Sequence, residues 1–285
     1  MATDVHPTVI IDPATQLGTG VKIGPYSVIG PNVKLGDDCV IHNHVTLMGN
    51  TTLGPKCEVF PGAVVGGPPQ DLKYRGSLTR LEIGEQTVIR EYCTLNPGTE
   101  LGGGITSVGQ RCLLMAYCHI AHDCIIENNV IIANCAQLAG HVHVQEGARI
   151  SGLCAIHHFV RVGRGSMVAG MARLSIDVPP YTMAEGHPAK IIGLNIEGLR
   201  RRKETKEASL ALKQAYRYLF REQESRLKAY ELIVSEQLDK HTIVSEFVEF
   251  VKKTDQGRHG RALEAVRAEV PPEERDGILA VKTDK

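Results

Sequence analysis

Net charge is the first thing this chain lacks: 32 Lys and Arg balance 32 Asp and Glu over 285 residues. No global field recruits nucleic acid or an anionic membrane, so electrostatic recognition has to be local. No apolar run approaches the roughly 20 residues of a membrane span. The opening Met-Ala-Thr-Asp-Val-His-Pro has neither a basic n-region nor an apolar h-region. The expectation is a soluble, cytoplasmic protein without stable membrane insertion. Phosphate-binding P-loops, nucleophile elbows and dinucleotide fingerprints are also missing. So is the repeated Thr-x-Thr array that a flat ice-binding solenoid would present.

What is there is a period of six. An aliphatic residue stands at Ile11, Leu17, Ile23, Ile29, Leu35, Ile41, Leu47, Leu53, Val59 and Val65. The period resumes at Ile83, Ile89, Leu95 and Leu101, slips by one residue, and runs on from Val108 to Leu174. Neither a helix nor an alternating strand produces this spacing. A short fixed repeat implies a solenoid in which each unit buries its apolar side against its neighbours. Six is the hexapeptide period of a parallel β-helix, with three hexads making one triangular coil. Four residues after each aliphatic position the side chain is small, as at Val21, Ser27, Cys39, Ala63 and Thr87. Glycine often follows the aliphatic residue, as at Gly18, Gly36 and Gly163, where positive φ is expected at tight corners. The period does not fix handedness; the usual rule for parallel crossovers says right-handed.

Seven of the eight cysteines (Cys39, Cys57, Cys93, Cys112, Cys118, Cys124 and Cys154) occupy the small interior position, and only Cys135 is out of phase. That register favours packing as small hydrophobes over a disulfide framework or zinc. Gly66 to Arg80 (GGPPQDLKYRGSLTR) leaves and rejoins the phase as an ejected loop. Gly102 to Ser107, at the slip, is expected to project too. The prism runs through residues 1–190. Leu212 to Phe220, Leu227 to Val234 and Ile243 to Val251 carry helical spacing and form one small bundle within 191–262. Residues 263–285 read as a short helix and a mobile tail.

His122, His141 and His157 each follow the last by close to one coil, so on successive coils they line one wall, with His119 and Asp123 beside the first. Histidine is suited to proton transfer near neutral pH, and a carboxylate can fix its tautomer. Against this, 12 histidines give chance alignments, and an outward histidine is often merely solvated. His119 and His122 with a histidine of a facing chain could instead hold zinc, as in hexapeptide-repeat carbonic anhydrases, though these use His-x4-His where this chain has His-x2-His. The run Arg200-Arg201-Arg202-Lys203 is either a phosphate site or a solvated helix start.

Several strings in order resemble one family. They are IGPYSVIGPNV, QDLKY (70–74), HIAHDC (119–124), LAGHV (138–142), DVPPY (177–181) and NIEGLRRR (195–202). The family is the acyl-carrier-protein-dependent UDP-N-acetylglucosamine O-acyltransferases of lipid A synthesis, within the hexapeptide-repeat acyltransferases. The resemblance implies a mainly β fold: a left-handed parallel β-helix followed by a small C-terminal α-helical bundle. It also implies a homotrimer with sites between adjacent prisms, acyl carrier protein and UDP-N-acetylglucosamine as partners, and no metal or cofactor beyond the carrier's phosphopantetheine. The reaction it implies moves an (R)-3-hydroxyacyl chain to the glucosamine 3-hydroxyl.

By the same resemblance His122 is the general base, Asp123 orients it, and the Gly140 N–H polarises the thioester carbonyl. Gln70, Asp71, Lys73, His119, His141 and His157 line the sugar and acyl groove. Gly170 limits acyl length, and Asn195, Glu197, Arg201 and Arg202 contact the nucleotide. Asn96 stands where many members have a histidine, which leaves open whether the acceptor carries a 3-hydroxyl or a 3-amino group. Acetyl-CoA-dependent relatives are the enzymatic alternative. The next acyltransferase of the pathway carries a long domain before its hexads, whereas here they begin by Ile11.

Overall fold

A computed structural model describes residues 2–222 and 225–266. Hexads fold into two-residue parallel strands that close a left-handed triangular prism. Face I includes Lys22–Ile23, Leu113–Leu114 and Met167–Val168; face II includes Val28–Ile29, His119–Ile120 and Gln137–Leu138; face III includes Lys34–Leu35, Ile125–Ile126 and Arg161–Val162. The register advances by three hexads per coil: Ile23 pairs with Ile41, and Leu114 with Ile132, which pairs in turn with Ile150. The aliphatic residue of each pair points inward, so Ile29, Leu47, Leu95, Ile120 and Leu138 stack into one continuous core.

The small interior position has a second duty. Ser27 Oγ donates to the His42 carbonyl at 2.8 Å, Thr87 Oγ1 to Gly109 at 2.7 Å, and Cys39 Sγ to Gly54 at 3.2 Å. Where the position is Ser27, Thr87 or Cys39, a corner carbonyl of the next coil thus receives a side-chain donor, so a small polar residue is satisfied in a place that Val or Ala fills elsewhere. All eight cysteines are free, and the seven in phase are buried. Burial pushes the Cys124 thiol up to about 12.

The corner glycines act differently from the expectation. Gly18, Gly36 and Gly163 are not left-handed; positive φ falls two residues later in the hexad and without a break at Arg111, Tyr117, Asp123, Asn129, Cys135, His141, Gly147, Leu153, Phe159, Gly165 and Met171. What those glycines provide is clearance. A Cβ on Gly36 would lie 2.6 Å from Pro55 N, and one on Gly163 2.4 Å from Pro180 N.

The two long insertions into the coils share one edge. Leu53 pairs with Ile83, and Ile83 with Val108, so each of these two coils is longer than three hexads. Both excursions leave the edge between faces II and III, after Val65 and after Leu95. The second is not Gly102 to Ser107 as expected. It is 96–104, containing the 3-10 turn Glu100–Gly102, while Ile105–Val108 is a face III strand. Leu101 is therefore exposed and outside the hexad series.

Face I ends in an antiparallel hairpin, Thr182–Gly186 with Ala189–Leu194, which spans the expected division at 190. Among the described residues four α-helices follow: α1 (Ile196–Arg201), α2 (Lys206–Phe220), α3 (Arg226–Ser235) and α4 (Thr242–Asp255). Leu212, Ala215, Leu219, Ile233, Val244 and Phe247 form their core, with Tyr181 packed into it. Asp177 fastens bundle to prism: its carboxylate takes hydrogen bonds from Arg161 N and Nε, Thr254 Oγ1 and Ala262 N. Leu263–Val266 is a 3-10 turn, and the expected tail beyond it lies outside the described residues. Among the described residues no helix is long and apolar enough to cross a membrane.

Candidate active site

The II–III edge that carries both excursions also carries the histidines. Counting by whole coils places His122, Gly140 and His158 in one column, and Asp123, His141 and Phe159 in the next, the latter all at positive φ. His122 and His141 meet edge to face, ring centroids 5.3 Å apart, and His141 stacks on Phe159 at 4.4 Å. His157 does not continue that contact. It follows the aliphatic residue Ile156 directly, one coil beyond Ala139, and packs against His158 at 4.1 Å.

Asp123 is buried, and both its carboxylate oxygens are hydrogen-bonded. His122 Nδ1 lies 2.7 Å from Oδ2, Thr99 Oγ1 donates to Oδ2 at 2.7 Å, and Thr99 N donates to Oδ1 at 2.8 Å. Burial alone would raise this carboxyl, but the His122 and Thr99 hydrogen bonds outweigh it, and the net shift is downward. Asp123 is thus a fixed anion that holds the proton on His122 Nδ1 and leaves Nε2 as the ring's acceptor. Thr99 and Thr106, whose Oγ1 takes the Asp123 N–H at 2.7 Å, were missed from the sequence. Gly102 was missed too: a Cβ there would sit 2.0 Å from the Asp123 carboxyl carbon. The available signal was the excursion itself, which returns the chain over this edge.

Beyond Nε2 stands the long loop. Asp71 Oδ2 is 3.9 Å from His122 Nε2 and 3.5 Å from Lys73 Nζ. Gln70 is exposed beside them. The loop is held at its base by Asn96, whose Nδ2 donates to the Gly67 and Pro68 carbonyls, and farther out by Glu100, which accepts from Arg75 N and Ser77 N. These donors bring the Glu100 carboxyl down to about 2, the Ser77 contact leading. His119, bonded to Thr94 Oγ1, and His141 are both lowered, chiefly by burial. His122, Asp123 and His141 bring one ligand atom each within 4.8 Å of one another, a grouping that could hold a metal ion and that differs from the expected His119 and His122 pair.

Gly140 occupies the second residue of its corner, a place filled elsewhere by Pro7, Pro13, Pro25, Pro31, Pro55, Pro61 and Pro97. Proline is accepted there because the ladder does not use that N–H. Among the described residues the Gly140 N–H donates to no backbone carbonyl, and the adjoining Cα packs against the His122 ring.

The remaining expected residues lie on other edges of the same chain. Gly170 is on edge I–II, in line with Gly152 and Asn134. Asn195 caps α1 and donates to the Gly165 carbonyl on edge III–I; Arg202 approaches Gly147 there, and Glu197 pairs with Arg200 and Arg201. One chain therefore assembles Asp71, Lys73, His119, His122, Asp123, Gly140 and His141, but not the residues expected to contact the nucleotide and to limit acyl length.

Comparison with known proteins gives this geometry a context. Residues 177–260 match the family model for domain 2 of UDP-N-acetylglucosamine O-acyltransferase, and 105–140 match the bacterial transferase hexapeptide repeat. The acyl-[acyl-carrier-protein]–UDP-N-acetylglucosamine O-acyltransferase of Synechocystis sp. is 46% identical over 262 residues, covering 91% of this chain and 94% of its own. The solved LpxA of Acinetobacter baumannii is 40% identical with a TM-score of 0.83, covering 86% of this chain and 95% of its own. The Arabidopsis UDP-N-acetylglucosamine acyltransferase is 33% identical with a TM-score of 0.76, over 90% and 98% of the two chains. The chain is an acyltransferase and belongs to the acyl-[acyl-carrier-protein]–UDP-N-acetylglucosamine O-acyltransferase family.

Proposed function

We propose that His122 is the general base for transfer of an (R)-3-hydroxyacyl chain from acyl carrier protein to the 3-hydroxyl of UDP-N-acetylglucosamine, the first step of lipid A synthesis. The observation that carries this reading is the buried Asp123 carboxylate on His122 Nδ1, which leaves Nε2 to accept a proton. In the reaction Nε2 takes the hydroxyl proton as the sugar oxygen attacks the thioester carbon. The charge that develops on the carbonyl oxygen is met by the Gly140 N–H. Collapse breaks the carbon–sulfur bond, and the imidazolium returns its proton to the departing phosphopantetheine sulfur. Base, carboxylate and oxyanion donor suffice, so the reading requires neither metal nor cofactor.

In this reading Asp71, Lys73, Gln70, His119, His141 and His157 bind sugar and acyl groups, Asn195, Glu197, Arg201 and Arg202 hold the nucleotide, and the enzyme works in the cytoplasm. The distribution of these groups over three edges supports a homotrimer, in which edge II–III of one prism faces a neighbouring copy. Edge I–II supports it too, because it exposes an apolar ladder of Tyr26, Tyr92, Tyr117, Leu153 and Met171, with Tyr92 and Tyr117 stacked at 5.1 Å.

The test is turnover of 3-hydroxyacyl carrier protein against acetyl-CoA with UDP-N-acetylglucosamine, for the parent and His122→Ala. The variant should lose a factor of about 10²–10⁴ or more while keeping its fold and trimer. Near-parent turnover removes His122 from the mechanism. Activity lost to a chelator and restored by Zn²⁺ would favour the metal grouping instead.

A further inference from the structure

We propose that Thr99 is a positioning residue for acyl transfer, clamping the Asp123 carboxylate so that its Oδ2 stays aimed at His122 Nδ1. The proposal rests on the general-base reading of His122 and adds to it the element that sets the base. A carboxylate held at one oxygen can swing about its Cβ–Cγ bond, whereas one held at both is fixed in plane. Thr99 supplies both holds from a single residue, N–H to Oδ1 at 2.8 Å and hydroxyl to Oδ2 at 2.7 Å. Thr99 is itself fixed as the cap of the 3-10 turn, its Oγ1 accepting from Gly102 N at 3.2 Å. Gly102 then closes over the carboxylate without room for a side chain.

The stretch 96–100 also determines what stands on the other side of the imidazole. Asn96 and Glu100, on either side of Thr99, fasten the loop that brings Asp71 to 3.9 Å from Nε2. One excursion thereby sets both nitrogens of the base, Nδ1 through Thr99 and Asp123, Nε2 through the loop. This gives the lengthened coil between Ile83 and Val108 its purpose in an otherwise regular solenoid.

Thr99→Val keeps the N–H and the shape and removes only the hydroxyl. The expected result is a fall in kcat of about tenfold, with KM for UDP-N-acetylglucosamine within about twofold of the parent. The acid limb of the kcat/KM profile should move to higher pH. Oδ2, left with His122 as its one side-chain hydrogen-bond donor, holds the imidazolium proton more firmly, while Asp71, Lys73, His119 and His141, which also surround the imidazole, are unchanged. Thr99→Ser should restore both rate and limb. Parent-like kcat and an unmoved limb in Thr99→Val overturn the proposal, as does a slower enzyme whose limb is unmoved and which serine does not rescue. If the valine variant fails to fold, Thr99→Ala is judged by the same profile. His122→Ala, assayed in parallel, separates the two claims: if it is inactive while Thr99→Val is normal, only the role of Thr99 fails.

Discussion

The imidazole of His122 lies where the side chain of Gly140 would be: a Cβ built on Gly140 comes within 2.5 Å of His122 Cε1 and 2.8 Å of Nε2. Gly140 is not in the left-handed region, so alanine suits its backbone, and the three atoms nearest the added Cβ all belong to the ring. Gly140→Ala should therefore displace the base while leaving the prism intact. We expect kcat to fall by about a hundredfold or more with an unchanged melting temperature. Normal turnover would mean that His122 works from another rotamer.

Gly170 has more room. Its nearest neighbour to an added Cβ is the Gly152 carbonyl at 3.5 Å, an ordinary contact. Methionine can be built there without backbone strain, extending over the edge. If an acyl tail ends at Gly170, each methylene denied burial forfeits about 0.8 kcal/mol. Gly170→Met should shift donor preference toward shorter 3-hydroxyacyl chains with no change in affinity for the UDP-sugar. An unchanged ratio in competition between long and short acyl carrier proteins would place the end of the groove elsewhere.

Glu100 reaches the same imidazole by the loop. Its carboxylate accepts from Arg75 N and Ser77 N, which brings it from an ordinary 4.5 down to about 2. A depressed carboxyl contributes its loop-holding in full above its unfolded value and loses it as pH falls from about 4.5 through 2. At neutral pH the clasp is closed. Glu100→Ala should raise KM for UDP-N-acetylglucosamine severalfold and affect kcat less, the reverse of the split expected at Thr99. Equal KM values for variant and parent would show that Asp71 and Lys73 are held without it.

Asp177 is one of the ties between prism and bundle. It is buried with Arg161, whose Nη2 also donates to the Phe250 carbonyl and whose guanidinium lies 4.0 Å over the Phe250 ring. Removing one member leaves the other charge buried alone, a loss of about 3–5 kcal/mol. Asp177→Ala should lower the midpoint of denaturant unfolding accordingly and make cleavage between 195 and 260 faster under limited proteolysis. A melting temperature within a degree or two of the parent would show that the helices are held by Tyr181 and the apolar core instead.

The prism was legible because each hexad repeats the same burial, so Ile29 and Leu138 announce themselves alike. The helices were legible from their apolar spacing. The edges were not. Assigning a residue to an edge requires counting in whole coils, and two excursions of unknown length break the count before His119. Even past them, spacings that only approximate one coil grouped His122, His141 and His157, whereas the true columns join His122 to Gly140 and Asp123 to His141. Corner chemistry was misread for another reason: in sequence, a glycine needed for clearance looks the same as one needed for positive φ. Thr99 and Thr106 passed unnoticed because small hydroxyl residues occur throughout the interior position.

Both excursions depart from and return to a single edge, and this has a bearing on how such a chain can change over generations. Length added between Val65 and Arg80, or between Leu95 and Ile105, re-enters the ladder in register, so the core behind it keeps its reading frame. One deleted residue inside a strand would instead turn every later side chain out of phase. New contacts can be tried at the II–III edge by lengthening a loop at almost no risk to the ladder behind it, provided that Asn96, Thr99, Glu100 and Gly102 keep their places around His122.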